Sequence, residues 1–199
     1  MKKTLTLAII VCSLSVAAQT SKRSFLIGGN GSLNFNNNDG NGREYKTSSF
    51  SLSPTAGYFL AKNFSAGLSL PTEFFWSKIT PPLSTEDYRS NSSTIGAAPF
   101  VRYYIPIKSW FIVTEWAYGW YYTRNTYDVT DQSGNVISTY EGSWHNRRYK
   151  VAAGPAFFLS PYTSIEILAN YGRMGAENTN LSKFYISVGF QIYLPANKE

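Results

Sequence analysis

The chain has one cysteine, Cys12, and one histidine, His145, in 199 residues. Cys12 falls in the first apolar run, Leu5 to Val16, which follows Lys2 and Lys3 and ends in Val16-Ala17-Ala18-Gln19. Charge, apolar run and small residues in that order describe a secretory leader, residues 1–18, with cleavage expected after Ala18. A membrane-anchoring helix would need roughly 20 apolar residues, and this run is shorter. A lipoprotein leader would want a small residue before its cysteine, and Val11 is not small. Residues 19–199 therefore lack cysteine, which excludes disulfides and a thiolate nucleophile. With one histidine and scattered carboxylates, no metal-ligand spacing is present, and no metal or other cofactor is expected. A second apolar run of 18 is also missing, so no transmembrane helix is expected. Charge is scarce, at 15% of residues. Without the two leader lysines, 16 basic residues stand against 12 acidic ones, a net +4 with no basic run, which argues against nucleic-acid binding.

What the chain has instead is aromatic residues, 17% of the total, and alternation. In "FYISVGFQIYL", Phe184, Ile186, Val188, Phe190, Ile192 and Leu194 fall on one face, and Tyr185, Ser187, Gly189, Gln191 and Tyr193 on the other. The same period of two marks a strand at 24–36 and six more near 49–60, 64–76, 95–105, 110–122, 149–159 and 165–172. The eight strands are joined by connections that alternate long (37–47, 77–92, 123–147, 173–183) and short (61–64, 106–109, 160–163). Short turns at one end and long loops at the other are the pattern of an outer-membrane barrel. The expectation is an all-β fold, an eight-stranded antiparallel up-and-down transmembrane barrel formed by residues 19–199 as a single domain.

The two faces of the strands decide which side is out. In a soluble barrel the apolar face points inward and the outer face carries Lys and Glu. Here the second face is Ser, Gly, Asn and Thr with five charges: Glu73, Arg102, Glu115, Lys150 and Glu166. That face suits a narrow lumen, so the bulky face meets lipid. Trp76, Trp110, Trp116, Tyr118, Trp120 and Tyr122 then supply interfacial aromatic belts. The segment "PFVRYYIPIKSWFIVTEWAYGWYY" places Arg102 and Glu115 on neighbouring strands. With Lys108-Ser109 as the turn, Ile107 faces Trp110 and Arg102 faces Glu115, so an ion pair in the lumen offsets the burial of both charges. Glu73 and Glu166 are expected to pair with Arg102 or Lys150. Phe75, Phe100, Tyr104, Phe158, Tyr185 and Tyr193 are expected to fill the interior, because eight strands leave room only for side chains.

"SPTAGYFLAKNFSAGLSL", "APFVRYYIP" and the terminal "SVGFQIYL" resemble the small eight-stranded outer-membrane barrels, the family of OmpX and the OmpA transmembrane domain, often grouped as porin-like barrel proteins. The resemblance implies residence in the outer membrane of a Gram-negative bacterium, contact with its lipid and lipopolysaccharide, and a monomer. It also implies that the last strand, through Ser187, Gly189, Ile192 and Leu194, is the signal read by the barrel-assembly machinery. "PANKE" follows where many such barrels stop at a terminal aromatic.

Chemistry is thin. Ser143, Asp128 and Asp131 are the residues that would join His145 in a nucleophilic triad, as a lipid-modifying enzyme would require, but no nucleophile motif surrounds them. Gly28-Gly29-Asn30-Gly31 precedes no helix and so is no phosphate loop; glycine in a barrel strand relieves crowding. Arg147-Arg148 is a candidate contact for lipopolysaccharide phosphates. The expected role is structural or adhesive, without enzymatic activity. The alternative is a small channel or lateral transporter of small or apolar molecules, with a wall opening near Pro54, Pro99 or Pro155, each of which removes a ladder donor. The third long loop reads as a hairpin of its own, with Tyr127, Val129, Val136, Ile137 and Tyr140 on two arms about the turn signal Gln132-Ser133-Gly134-Asn135. It is the candidate ribbon for binding a surface or host protein.

Overall fold

A computed structural model describes residues 20–40, 43–81, 86–108, 110–131, 133–176 and 179–195. The leader reading of residues 1–18 and the tail at 196–199 lie outside the described residues. Alternating sequence becomes nine strands: β1 (Phe25–Gly40), β2 (Arg43–Ala61), β3 (Phe64–Ser69), β4 (Thr72–Thr80), β5 (Glu86–Ile107), β6 (Trp110–Asp131), β7 (Val136–Ser160), β8 (Thr163–Ala176) and β9 (Thr179–Leu194). β3 and β4 are two halves of one barrel strand, interrupted at Leu70-Pro71. The register against β2 runs unchanged across the interruption, with Thr55 opposite Ser69 and Leu52 opposite Thr72. Pro71 cannot donate to a ladder; its carbonyl still accepts from the Gly96 amide at 2.9 Å, while the Leu70 amide donates to the Pro54 carbonyl. All neighbours are antiparallel, and β1 pairs with β9, so eight strands close a ring.

The prolines do not open the wall. Ala97 faces Trp120 and Phe100 faces Ala117, so the β5–β6 register runs through Pro99 unchanged. Ala153 faces Ala169 and Ala156 faces Glu166, so the same holds at Pro155. Close backbone contact holds the strands together there. A Cβ on Gly154 would lie 1.9 Å from the Ile167 carbonyl oxygen, so only glycine lets β7 approach β8 this closely.

The short turns need left-handed backbone, at Asn63 (φ 64°) and Lys108 (φ 44°). At this end Thr20 to Ser24 run beside the end of β2 and its turn: the Asn63 amide donates to the Thr20 carbonyl at 2.8 Å, and the Phe59 amide to the Ser24 carbonyl at 2.9 Å. At the opposite end the structure corrects the long-loop expectation for 37–47, 77–92 and 173–183, and carries the hairpin read in 123–147 further. Residues 37–47, 77–92, 123–147 and 173–183 are largely strand, extending the membrane strands into hairpins. β7 has 25 residues, where roughly 10 cross a bilayer. The extensions are built of Ser, Asn, Thr and charged residues paired across strands. Outside the β6–β7 arms, with Tyr127, Val129, Val136, Ile137 and Tyr140, they bury little apolar surface and carry little hydrophobic period.

The outward face is apolar along the membrane half of the strands. Leu33 is 66% exposed, Phe35 76%, Trp116 66% and Phe184 69%. A soluble protein rarely leaves so continuous an apolar surface in water. Trp76, Tyr118, Trp120 and Tyr122 are exposed on the same face, and Trp110 is half-buried there.

Candidate functional site

The lumen is layered, and each layer follows from which residues alternate inward. Nearest the short turns lies a dry plug. Leu26, Phe59, Phe100, Tyr104, Phe111, Val113 and Tyr193 are all buried, and Phe158 packs against them. Tyr104 sits 5.6 Å from Phe59 and 6.2 Å from Tyr193, centroid to centroid; Phe158 lies 5.1 Å from Tyr193 and 5.3 Å from Phe111. Sequence reasoning missed Leu26, Phe59, Phe111 and Val113. Their signal is the loss of alternation near the short turns, in "SFLI", "YFLA" and "WFIV", where both faces are apolar because both leave water.

The second layer is ionic. β5 and β6 pair with Ile107 opposite Trp110 and Arg102 opposite Glu115. Arg102 Nε donates to Glu115 Oε2, and its Nη1 donates to Glu166 Oε2 at 3.2 Å. Lys150 Nζ reaches Glu115 Oε1 at 2.5 Å. Two cations thus meet two carboxylates, and Gln191 Nε2 adds a bond to Glu166 Oε2 at 3.2 Å. The Arg102 guanidinium also lies 5.2 Å from the Phe100 ring centre.

Glu73 is not part of this group. It binds Arg148 Nη1 at 3.0 Å and Lys183 Nζ at 2.7 Å, nearer the hairpin end. This corrects three expectations. Glu73 was expected to pair with Arg102 or Lys150, and its partners are Arg148 and Lys183 instead. Arg148 points into the lumen, so only Arg147 of the pair is left on the outer face for lipopolysaccharide. Lys183, expected in a loop, lies on β9 and points inward. β7 and β9 stay extended through these residues, and extended backbone sends alternate side chains to opposite faces. Around Glu73 the lumen widens to a cavity of about 480 Å³, lined among others by Phe75, Thr94, Tyr121, Trp144 and Tyr185.

The terminal strand divides its expected signal between the two faces. Ser187 is buried and accepts from Asn170 Nδ2 at 2.9 Å. Gly189 faces Asn30, where a Cβ would meet Oδ1 at 1.9 Å. Ile192 and Leu194 are exposed to the outside. The β1–β9 ladder spans only Phe25↔Leu194 to Gly31↔Val188, and above it Ser32–Gly40 pair with β2.

At the hairpin end, Tyr127 faces Tyr140 with ring centres 6.5 Å apart, and Tyr88 of β5 stacks on Tyr127 at 5.9 Å. Val129 pairs with Ser138, and Val136 with Thr130 across a register shift. Val136, Ile137 and Tyr140 are exposed. A two-stranded ribbon was expected, and the structure corrects this. β5 pairs with β6 as far as Glu86↔Asp131, which covers the β6 edge. β8 reaches β7 only at Arg147↔Gly175, so residues 136–146 have a neighbour on one side alone among the described residues. Gln132 of the expected turn lies outside the described residues; Gly134 takes φ 87°. Asp131 caps this tip, accepting from the Asn135 side chain at 3.0 Å and from its amide at 2.8 Å. Those bonds hold its carboxyl below the usual 3.8.

The enzyme residues are not gathered. His145 lies beside Tyr122, ring centres 5.1 Å apart, with Ser143 two residues along the same face. Asp128 faces Thr139 and bonds its hydroxyl at 2.7 Å. Thr139 is six residues from His145 on β7, which puts Asp128 roughly 20 Å from the imidazole.

No protein-family model and no curated protein matches the sequence. Among solved structures, the outer membrane protein OprG from Pseudomonas aeruginosa is similar at TM-score 0.51 and 11% identity, over 91% of this chain and 100% of that one. The chain has the fold of an outer-membrane β-barrel. Neisserial surface protein A (TM-score 0.47, 16% identity, 85% and 96% covered) and Ail, the attachment invasion locus protein of Yersinia pestis (0.43, 12%, 87% and 99%), are also similar. At these identities the likeness speaks for the fold alone.

Proposed function

We propose that this chain is a monomeric, non-enzymatic barrel of the Gram-negative outer membrane. Its work is to hold a β-ribbon above the cell surface for a protein partner. The apolar outer face calls for lipid, and short turns in such barrels lie on the periplasmic side. Lipopolysaccharide then surrounds the hairpin half, with Arg147 as a phosphate contact. β9, with Ser187, Gly189, Ile192 and Leu194, is the segment offered to the barrel-assembly machinery.

The observation that carries the reading is the free edge of β7 at residues 136–146. Unpaired backbone N–H and C=O groups along a strand accept a further strand, and side chains at alternate positions select it. Val136, Ile137 and Tyr140 supply apolar anchors there. The test compares cells carrying the parent barrel with cells carrying a deletion of residues 128–139. The deletion should leave assembly and heat-modifiable gel mobility intact while abolishing adhesion to host cells or matrix. Equal adhesion by both would end the proposal.

A second reading, lateral passage of small or apolar molecules, is favoured by the short β1–β9 ladder. Leu33, Phe35, Phe184 and Ile186 are highly exposed beside the place where it stops. Passage straight through is disfavoured by the plug. Planar-bilayer recordings should therefore show no stable openings of porin size.

A further inference from the structure

The lumen on the hairpin side is more than unfilled space. Side-chain exposure falls stepwise from Lys183 (46%) through Glu73 and Arg148 (23% each) and Lys150 (19%) to Glu115 (2%) and Arg102 (0%). Water thus enters from the hairpin end and stops at the Arg102 layer: the cavity is a cup with a charged floor. Its about 480 Å³ falls within the range of small-molecule sites. Among the described residues Glu73 is the one carboxylate on its lining, where Arg148, Lys150 and Lys183 also lie.

We propose that this cup binds a small organic oxyanion, a phosphate or carboxylate on a ring-sized body, taken from the external medium. Arg148 and Lys183 would hold the anion, and Glu73 is its internal competitor. Each oxygen of Glu73 occupies one of the two cations, at 3.0 and 2.7 Å. Arg148 spends Nε on Asn146 Oδ1 at 2.9 Å and Nη1 on Glu73. Its guanidinium is braced 4.7 Å from the Tyr121 ring centre. A guanidinium beside an ammonium is the pairing that suits an oxyanion carrying two or more oxygens. Tyr121, Tyr185 and Trp144 give the wall aromatic surface for the body of the ligand, and Thr94 and Thr123 give it hydroxyls. The membrane-buried wall keeps the dielectric low, which strengthens attraction for an anion that gives up its hydration.

The inference does not depend on the ribbon, and it can be tested on the barrel with residues 128–139 deleted as well as on the full chain. The barrel refolded in detergent is titrated with glucose 6-phosphate, citrate and uncharged glucose, following Trp144 emission with Trp144→Phe as the control, and calorimetry in parallel. Either oxyanion should saturate while glucose does not, and which of the two does so separates phosphate from carboxylate. Lys183→Met should bind about tenfold more weakly, the loss expected for one charge-assisted bond. Glu73→Gln, which frees both cations, should bind about tenfold more tightly, and the oxyanion should raise its urea midpoint more than the parent's. A purely structural Glu73 cluster predicts no gain in affinity. Lys183 is exposed enough that its variant keeps the fold if Glu73→Gln does not. The proposal is overturned if neither oxyanion saturates, if glucose matches them, or if Lys183→Met binds as well as the parent.

Discussion

Replacing Arg102 by methionine tests the ionic layer where its neutrality matters most. Arg102 and Lys150 stand against Glu115 and Glu166, so the layer carries no net charge. The side chains of Arg102 and Glu166 are 0% exposed and that of Glu115 is 2%. Without Arg102, Glu115 keeps Lys150, but Glu166 loses its cation and keeps the neutral Gln191 amide at 3.2 Å. A carboxylate left charged and unpaired in so dry a place should cost about 3–5 kcal/mol. Glu115→Gln is milder: Arg102 still has Glu166, and Lys150, 19% exposed, can turn to the water of the cup. Its cost should be about 1–2 kcal/mol.

Neutrality predicts rescue. Adding Glu166→Gln to Arg102→Met leaves Lys150 and Glu115 as a closed pair, so the double variant should be more stable than Arg102→Met alone. The coupling should be about 1–3 kcal/mol. Reversible urea unfolding in micelles or vesicles, followed by tryptophan emission and by the shift in gel mobility on heating, measures all members of the cycle. If Arg102→Met/Glu166→Gln loses the sum of the two single losses, the layer is not a balanced unit. If Glu115→Gln costs more than Arg102→Met, the partner assignment is wrong.

The other predictions use the same assays or simple variants of them. Gly154→Ala puts a methyl 1.9 Å from the Ile167 carbonyl oxygen and should destabilise the barrel by about 1–3 kcal/mol, whereas Gly142→Ala, with nothing within 4 Å, should leave the urea midpoint unchanged. Phe111→Ala opens the plug and should cost about 3–5 kcal/mol; an unchanged midpoint would mean that the rings merely fill space. At the hairpin tip, the Asp131 carboxyl is held below 3.8 by the Asn135 side chain and amide. The stabilisation it gives is therefore complete above its ordinary value and lost as pH falls through the lowered one. The Asn135 amide resonance should titrate with a midpoint below 3.8, and a midpoint at or above that value would refute the cap. Ile137→Lys on the free β7 edge should reduce adhesion about tenfold without altering gel mobility.

How much of this was legible follows from what each residue has to bury. Along Phe184 to Leu194 the period of two is forced by lipid on one side and a packed or polar lumen on the other. The strand, its face and its neighbours could therefore be read directly. The Arg102–Glu115 register was legible for the same reason, once a two-residue turn at Lys108-Ser109 fixed the pairing of "IPI" with "WFI". Half of the plug was legible as well, in Phe100, Tyr104, Phe158 and Tyr193; Leu26, Phe59, Phe111 and Val113 were not, because they interrupt the polar face where both faces turn apolar. Apart from the β6–β7 hairpin, the extensions were not either: "EDYRSNSST" on β5 buries no apolar face, so its strand character comes from pairing with β4 and β6 rather than from its own composition.

The same cause explains why the cup escaped notice. Its three principal residues come from segments far apart in the chain, Glu73 on β4, Arg148 on β7 and Lys183 on β9. Two of the three are loop charges if the strands stop at the membrane. Once β7 and β9 are known to continue, parity alone puts Arg148 on the same face as Lys150, and Lys183 on the same face as Tyr185 and Ser187. Closure of the ring by the β1–β9 ladder then brings β4, β7 and β9 around one lumen. A charge on a polar strand extension is thus ambiguous until parity is counted from a residue whose face is certain. Counted from Glu115 and Lys150, the odd positions of β6 and the even positions of β7 line the lumen. Tyr121, Thr123, Trp144 and Arg148 then fall inside, and all four line the cup.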